Sequence, residues 1–153
     1  MGSTMTDYKV VKAENAHIKD LQRFTTQMCE QALIAFPNMD IPKSTRVAMQ
    51  MIKDETALCL IKDKKVVGAV AGMIIKWVFS ESEYLSEMGF WIDKEHRTVE
   101  TATMLLNEFK DIADRKMIPC ILNPRDGKEI EKRNKFFEIN GFRKIGETYG
   151  YGL

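Results

Sequence analysis

The sequence predicts a mixed α/β (α+β) fold: a mostly antiparallel central sheet of about six to seven strands, flanked by about four helices. The chain has 153 residues, which suits one domain around one core. Hydrophobic residues make up 44% and charged residues 29%, a balance typical of soluble globular proteins. Along the chain the apolar pattern switches repeatedly between the period of strands and that of helices.

Taken in order, the segments predict the succession β-α-α-β-β-β-α-β-α-β(β). Strands are expected at 8–13, 56–61, 66–79, 84–92 and 118–122, with one or two short ones after residue 142; helices are expected at 18–35, from Lys43 or Ser44 onward, at 99–116 and at 129–140. The three central strands form an antiparallel meander. The last of them enters a strand–helix–strand unit, whose two strands should be parallel.

Local signals justify the first half of this order. "YKVVKA" at 8–13 alternates and is rich in β-branched residues. Apolar residues from Ile18 onward recur at helical spacing, and the two prolines of "FPNMDIP" at 36–42 interrupt them. "KDKK" at 62–65 predicts a charged hairpin turn. Gly68 and Gly72 suggest a bend, or the close approach of another backbone, in the following strand.

The second half is equally punctuated. "ESE" at 81–83 predicts a turn, and "NPRDG" at 123–127 predicts another. The helix from Val99 to Lys116 has one apolar face, formed by Ala102, Leu105, Leu106, Phe109, Ile112 and Ala113. Gly141 is placed to end the last helix. With no repeat or linker, residues 5–153 are expected to form a single domain, and "MGST" before Met5 is interpreted as a cloning remnant.

Composition disfavours several classes of function. The formal net charge is +1, so no nucleic acid and no anionic membrane is expected as a partner. Three cysteines without C-x-x-C spacing are expected to be reduced core thiols of a cytoplasmic protein. The two histidines, His17 and His96, have no partner at metal-ligand spacing, so no metal is expected.

Two segments resemble the GNAT superfamily of acyl-CoA-dependent N-acyltransferases. "IDKEHRTVETATMLL" at 92–106 fits, without a gap, the cofactor segment of that family, which reads roughly V-x-P-E-Y-R-G-K-G-I-G-x-x-L-L. "FFEINGF" at 136–142 fits the later F-Y-E-K-x-G-F segment. The resemblance extends from Tyr8 to the end of the chain. It implies the GNAT fold and transfer of an acetyl group from acetyl-CoA to a primary amine, by direct attack in a ternary complex.

The resemblance also implies where acetyl-CoA binds. Trp91, Ile92, Arg97 and Thr98 would lie along it, Arg97 with a charge-assisted contact to the pyrophosphate; Asn134 and Phe137 would flank the pantetheine arm. Because a helix start presents unpaired amides, the pyrophosphate is expected at the backbone of Val99, Glu100, Thr101, Ala102 and Thr103. Glu100 replaces a family glycine and must turn outward. Without a ligand, it would simply be a first-turn glutamate that stabilises the helix dipole.

The resemblance implies a catalytic carboxylate on the strand before this loop. Glu87 is the candidate base for the amine, with Glu83 second; alternation groups Glu87 with Leu85, Gly89 and Trp91. The alternative is an ordinary solvent-facing strand glutamate. A backbone amide near Ile92 would hold the oxyanion.

The candidate for the general acid does not lie at the position where the family pattern has one. Phe137 replaces the tyrosine that in many family members protonates the departing thiolate. Tyr149 is the candidate in its place, with Tyr151 beside it, reaching the site from the last strand; the alternative for each is edge-strand packing. The thiolate can also take its proton from solvent.

The resemblance implies that the acceptor amine enters over 36–45 and the turn at 79–84. It is either a small molecule or a protein amine, which the sequence does not distinguish. Dimerisation through the C-terminal strands is a further possibility that the family suggests. Glu100 and Phe137 also leave open a second hypothesis, a binding module that keeps the fold without turnover.

Overall fold

The computed structural model describes residues 7–32, 39–124 and 129–152. They form a sheet of five strands in the order β1-β2-β3-β4-β5, antiparallel from β1 to β4, with β5 parallel to β4. The strands are β1 (Tyr8–Lys12), β2 (Ala57–Lys62), β3 (Lys65–Lys76), β4 (Glu83–Ile92) and β5 (Cys120–Ile121); the helices are α1 (Ile18–Gln31), α2 (Ile41–Lys53), α3 (Val99–Lys116) and α4 (Ile130–Ile139). The mixed fold class, the meander and the parallel β4–α3–β5 unit are thereby confirmed.

The sheet is covered on both faces. The apolar face of α3, including Leu105 and Phe109, packs with Leu58, Val70 and Leu85 of the sheet on one side. On the other side, Leu21 and Phe24 of α1 and Ala48 of α2 pack on small strand residues, among them Ala69 and Ala71. The two cores therefore lie back to back, with the sheet between them.

Helix boundaries follow local chemistry. Helix α3 spans Val99–Lys116, as the apolar periodicity predicts. Helix α2 begins at Ile41, so the expected start at Lys43 or Ser44 is wrong. Asp40 caps that helix, since its carboxylate accepts a hydrogen bond from the Lys43 amide at 2.8 Å. Pro42 fits in the first turn, where its missing amide hydrogen costs nothing.

The turns are largely as expected. Asp63 and Lys64 join β2 to β3 with φ values of 50° and 65°, the left-handed pair that a two-residue hairpin uses. Gly141, at φ 91°, follows α4. Strand β3 stops at Lys76, three residues before the expected end. The expected end of α1 at Ala35 and most of the 123–127 turn lie outside the described residues.

The C-terminal expectation is wrong within the described residues. Residues 142–152 contain no strand, which leaves five strands where six or seven were expected. Two features account for the difference. Strand β5 has only two residues, so it offers almost no edge for a further strand. The glycines at 146, 150 and 152 also lower the strand propensity of the segment.

Strand β4 contains one residue more than its neighbour in the middle of their pairing. Gly72 pairs with Glu87 and Ala71 with Gly89, so Met88 is the extra residue of a β-bulge. The bulge shifts the alternation by one. Leu85 belongs to the core under α3, whereas Trp91 packs with the core under α1 and α2. The prediction that Glu87 shares a face with Gly89 and Trp91 is therefore wrong.

Among the helices of the described residues, none combines the length and apolar character needed to cross a bilayer.

We predict that Gly72→Ala lowers the free energy of unfolding by about 1–3 kcal/mol. A Cβ at Gly72 would lie 2.6 Å from the Ser86 carbonyl oxygen and 2.7 Å from Cζ of Phe109. Gly146→Ala is the control, because a Cβ there meets nothing within 4 Å. Urea denaturation of both variants is the measurement. Equal stability of the two would contradict the close packing of β3 on α3.

Candidate functional site

Strands β4 and β5 separate shortly after they meet. They pair only at Leu85 with Cys120 and Ser86 with Ile121, so the edge of β4 beyond Ser86 has no strand partner among the described residues. Asn123 bridges the start of this gap. Its side-chain amide donates to the Ser86 hydroxyl at 2.9 Å and to the Glu87 carbonyl at 2.8 Å. The sequence predicts only a turn at Asn123, because nothing in its neighbours signals a partner 36 residues away.

Glu87 lies at the mouth of this gap and is buried, with 7% of its surface exposed. Its carboxylate accepts a hydrogen bond from the Asn123 backbone amide at 3.1 Å. Since it pairs with Gly72, which faces Phe109, Glu87 points to the α3 side of the sheet. The alternative of an ordinary solvent-facing glutamate is therefore wrong.

The thiol of Cys120 lies close to the same place. Burial, followed by the negative charge of Glu87, raises its pKa to about 12. Burial also raises the pKa of the Cys59 thiol to about 12. Because a thiol acts as a nucleophile through its thiolate, neither group is suited to covalent chemistry near neutral pH.

The N-terminus of α3 is capped by the hydroxyls of Thr98 and Thr101. Thr98 accepts from the Thr101 amide, and the Thr101 side chain accepts from the Thr98 amide, each at 3.1 Å. The Ala102 amide donates to the Thr98 carbonyl at 3.1 Å, and Thr103 lies further inside the helix. Within the described residues, this leaves the amides of Val99 and Glu100 without a partner. The expected set of five amides is thus reduced to two.

Glu100 is exposed, in the first turn of α3. This exposure is compatible with the outward orientation that the ligand hypothesis requires, and the orientation itself stays a prediction. Thr101 is buried at 1% exposure, and its hydroxyl also donates to the His96 carbonyl at 2.7 Å. His96 shares a 2.9 Å hydrogen bond with the hydroxyl of Tyr8 in β1. The loop before α3 is therefore fixed to the first strand of the sheet.

Arg97 contacts the end of β4. Its guanidinium donates from Nε and from a terminal nitrogen to the Ile92 carbonyl, at 3.0 and 2.8 Å, and lies 4.8 Å from the centre of the Trp91 ring. The expected contact of Arg97 with a phosphate stays a prediction. In the structure, its side chain holds the last residue of β4 in place.

A second arginine anchors the same strand end to α1. Arg23 donates to both carboxylate oxygens of Asp93, at 2.8 and 3.1 Å, and the Trp91 indole donates to one of them at 3.3 Å. The hydrogen bond to Asp93 raises the pKa of Arg23 above its ordinary value. Arg23 and Arg97 thus fix Trp91 and the residues around it from two sides.

A cleft of about 310 Å³ lies on the α1–α2 side of the sheet, at the bulge. Met88 and Gly89 of β4 form part of it, together with residues of both helices and of β3. Asp40, Lys43 and Ser44, from the segment expected to cover an acceptor, also line it. The turn at 79–84 contributes no lining residue, and residues 36–38 lie outside the described ranges.

The remaining candidates lie near the C-terminus. Asn134 and Phe137 are half-buried on α4, and the Phe137 ring contacts those of Phe136 and Phe142. Tyr149 is 87% exposed, in a segment without a strand, and its hydroxyl donates to Glu147 at 2.6 Å. The expectation that a last strand carries this tyrosine to the site is wrong.

A search of the described residues for three His, Cys, Asp or Glu side chains grouped as metal ligands finds none.

Comparison with known proteins gives a clear result for the fold alone. No protein-family model matches the chain, and no curated protein sequence matches it. A predicted acetyltransferase from Clostridium acetobutylicum with acetyl-CoA superposes with a TM-score of 0.75 at 15% identity, over 95% of this chain and 96% of that one.

Two further solved structures agree. An aminoglycoside acetyltransferase from an uncultured soil metagenomic sample superposes with a TM-score of 0.69 at 14% identity, over 95% of this chain and 98% of that one. Arabidopsis thaliana Naa50 with a bisubstrate analogue, CoA-Ac-MVNAL, superposes with a TM-score of 0.68 at 18% identity, over 92% of this chain and 85% of that one. The chain therefore has the fold of the GNAT N-acyltransferases.

Proposed function

We propose that this protein transfers an acetyl group from acetyl-CoA to a primary amine. The observation that carries the proposal is the gap between β4 and β5, together with two other features of β4 and the segment that follows it. One is the start of α3, with its unpaired amides of Val99 and Glu100. The other is the cleft at Met88 and Gly89. Similar folds that hold acetyl-CoA or a CoA-linked bisubstrate analogue support the same function.

The residues present fit a CoA thioester. The unpartnered edge of β4 beyond Ser86 offers backbone groups to an extended, amide-containing chain. The helix start offers two amides and a partial positive charge to a pyrophosphate. No side chain is required to supply these contacts. This explains how Thr98 and Glu100 can occupy positions where the family pattern has small residues and glycine.

Each residue has a distinct role in the proposed reaction. In the net reaction the amine nitrogen bonds to the acetyl carbon, the carbon–sulfur bond breaks, and the proton lost by the amine balances the one gained by the thiolate. The acceptor cleft lies on the α1–α2 side of the sheet and the Glu87 carboxylate points to the α3 side, so Glu87 accepts the amine proton through water in the gap between β4 and β5. Arg97 is a positioning residue. Its hydrogen bonds to the Ile92 carbonyl hold the end of β4, where a backbone amide would stabilise the oxyanion of the acyl group.

The thiolate takes its proton from solvent in this scheme. Phe137 has no proton to donate, and the Tyr149 hydroxyl is bonded to Glu147. The same two observations favour a second candidate, a GNAT-fold binding module without turnover. The two candidates differ in cofactor binding, because the enzyme binds acetyl-CoA and the binding module ignores it, and in the release of free CoA, which a thiol reagent detects.

Acetyl-CoA is expected to raise the melting temperature of the protein. A ligand present at about a hundred times its dissociation constant adds roughly 2.7 kcal/mol to the free energy of unfolding, which is several degrees for this chain length. Differential scanning fluorimetry with acetyl-CoA, and with adenosine as the control that lacks the pyrophosphate, measures the effect. The absence of any shift at millimolar acetyl-CoA would refute the enzyme and favour the binding module.

Glu100→Gln is expected to tighten acetyl-CoA binding by a few-fold. The change removes a negative charge next to the amides that receive the pyrophosphate, at a cost of about 0.3–1 kcal/mol of helix-dipole stabilisation in the free protein. Glu108→Gln is the matched control, since Glu108 is also exposed on α3 but lies two turns further along. Calorimetric titration gives both affinities. Equal tightening in the two variants would place the pyrophosphate elsewhere.

Glu87→Gln is expected to lower kcat by about 10²–10⁴-fold, with acetyl-CoA affinity unchanged. Its amide keeps an oxygen that can accept from the Asn123 backbone, so the bridge across the gap is preserved. Glu83→Gln tests the second candidate for the base, at the exposed start of β4, and is expected to leave kcat unchanged. An unchanged pH profile of kcat in Glu87→Gln would remove Glu87 from the role of base.

A further inference from the structure

The cleft on the α1–α2 side is apolar almost throughout. Its lining residues include Met28 of α1, Met51 of α2 and Met88 of the bulge, with Phe24 and Trp91 beside them. The charged side chains that line it within the described residues are Asp40 and Lys43. A ligand held here is therefore recognised mainly through apolar contact.

Both charges belong to the exposed start of α2 and not to the interior of the cleft. The Asp40 carboxylate is also engaged by its own helix, because it accepts from the Lys43 amide at 2.8 Å. A ligand with several ammonium groups would need a carboxylate for each group that it buries, since an unpaired buried charge is strongly unfavourable. The cleft interior has no such carboxylate among the described residues.

The floor of the cleft is formed by small residues. Ala69 pairs with Trp91, and Ala71 pairs with Gly89, across β3 and β4. A Cβ at Gly89 would lie 2.8 Å from the terminal methyl of Met28. The glycine therefore leaves room for the Met28 side chain over the bulge, and this thioether forms a movable part of the wall.

The walls are adaptable as well as apolar. Methionine side chains are flexible and polarisable, so three of them can adjust to unbranched or aromatic groups of different length. The volume of about 310 Å³ lies at the small end of ligand pockets, which suits one side chain rather than an oligosaccharide.

We propose that the acceptor is a primary amine with a single apolar side chain, and that this side chain binds in the methionine-lined cleft. The inference rests on the proposed acetyl transfer and names the class of its acceptor. The same chemistry is presented by a free alkyl or arylalkyl amine and by a peptide that begins with a large apolar residue. Polyamines and aminoglycosides carry several amino groups and lack a single apolar side chain next to one amine.

The test compares acceptors at fixed acetyl-CoA, with CoA release as the readout. Phenethylamine and hexylamine are expected to exceed spermidine in kcat/KM by at least about tenfold, the scale of hydrophobic-pocket discrimination. Methioninamide and a decapeptide beginning with Met separate the two sources. A higher kcat/KM for the decapeptide identifies peptides, and a higher one for methioninamide identifies free amines. A preference for spermidine or an aminoglycoside would overturn the proposal.

Two variants tie the preference to the cleft. Met51→Ala is expected to raise KM for hexylamine several-fold and to leave KM for acetyl-CoA unchanged. Met49→Ala is the matched control, on the same helix but outside the cleft lining and 48% exposed. Gly89→Ala narrows the floor instead, and is expected to lower kcat/KM more for phenethylamine than for ethylamine. Equal responses of Met51→Ala and Met49→Ala would contradict the placement of the side chain.

Direct titration separates failure of this inference from failure of the proposed function. Phenethylamine is titrated into the protein with and without saturating CoA, and binding is followed by calorimetry. Saturable binding that Met51→Ala weakens supports the cleft as its site, whether or not acetyl-CoA is turned over. A protein that binds acetyl-CoA but no apolar amine at millimolar concentration would refute the inference and leave acetyl-CoA binding intact.

Discussion

The extra residue in β4 is the constraint on which the other features of the site depend. Because Met88 is inserted opposite the Ala71–Gly72 step, the alternation of side chains between the two faces of the sheet shifts by one residue in the middle of β4. Glu87 then points toward α3, while Gly89 and Trp91 face α1 and α2. One strand thereby supplies a buried carboxylate on one side of the sheet and the floor of an apolar cleft on the other. The glycine at position 72 permits this arrangement, because the Ser86 carbonyl and the Phe109 ring occupy the space that a side chain would need.

The parts of the fold that repeat a local pattern were predictable from the sequence. Helix α3 was predictable over Val99–Lys116 because its apolar residues recur at helical spacing along one face. The start of α2 was not predictable in the same way, because a proline signals a helix break, whereas Pro42 lies in a first turn that tolerates it. The missing C-terminal strands show the limit of family resemblance. A strand needs an edge to pair with, and a two-residue β5 offers almost none.

The candidate site was predictable in its location but not in its contacts. That Glu87 lies on the strand that precedes the loop before α3 followed from the strand order, whereas its side of the sheet depends on the bulge, which no local pattern reveals. The Arg97 guanidinium donates to the Ile92 carbonyl, a contact that the sequence does not indicate, and its expected contact with a phosphate stays a prediction. Asn123 was missed altogether. Contacts of this kind join residues distant in sequence, so periodicity and turn signals carry no information about them.

The reciprocal hydroxyl cap of Thr98 and Thr101 has a consequence for the thermodynamics of ligand capture. A glycine-rich loop samples many backbone conformations when free, and ordering it on binding costs conformational entropy. Here two threonines and the Tyr8–His96 contact already hold the loop in one conformation. The unpaired amides of Val99 and Glu100 are preorganised, so little of the interaction energy with an anion is spent on ordering. The loop is thus held in one conformation by threonine hydroxyls, where a glycine-rich loop would be conformationally free.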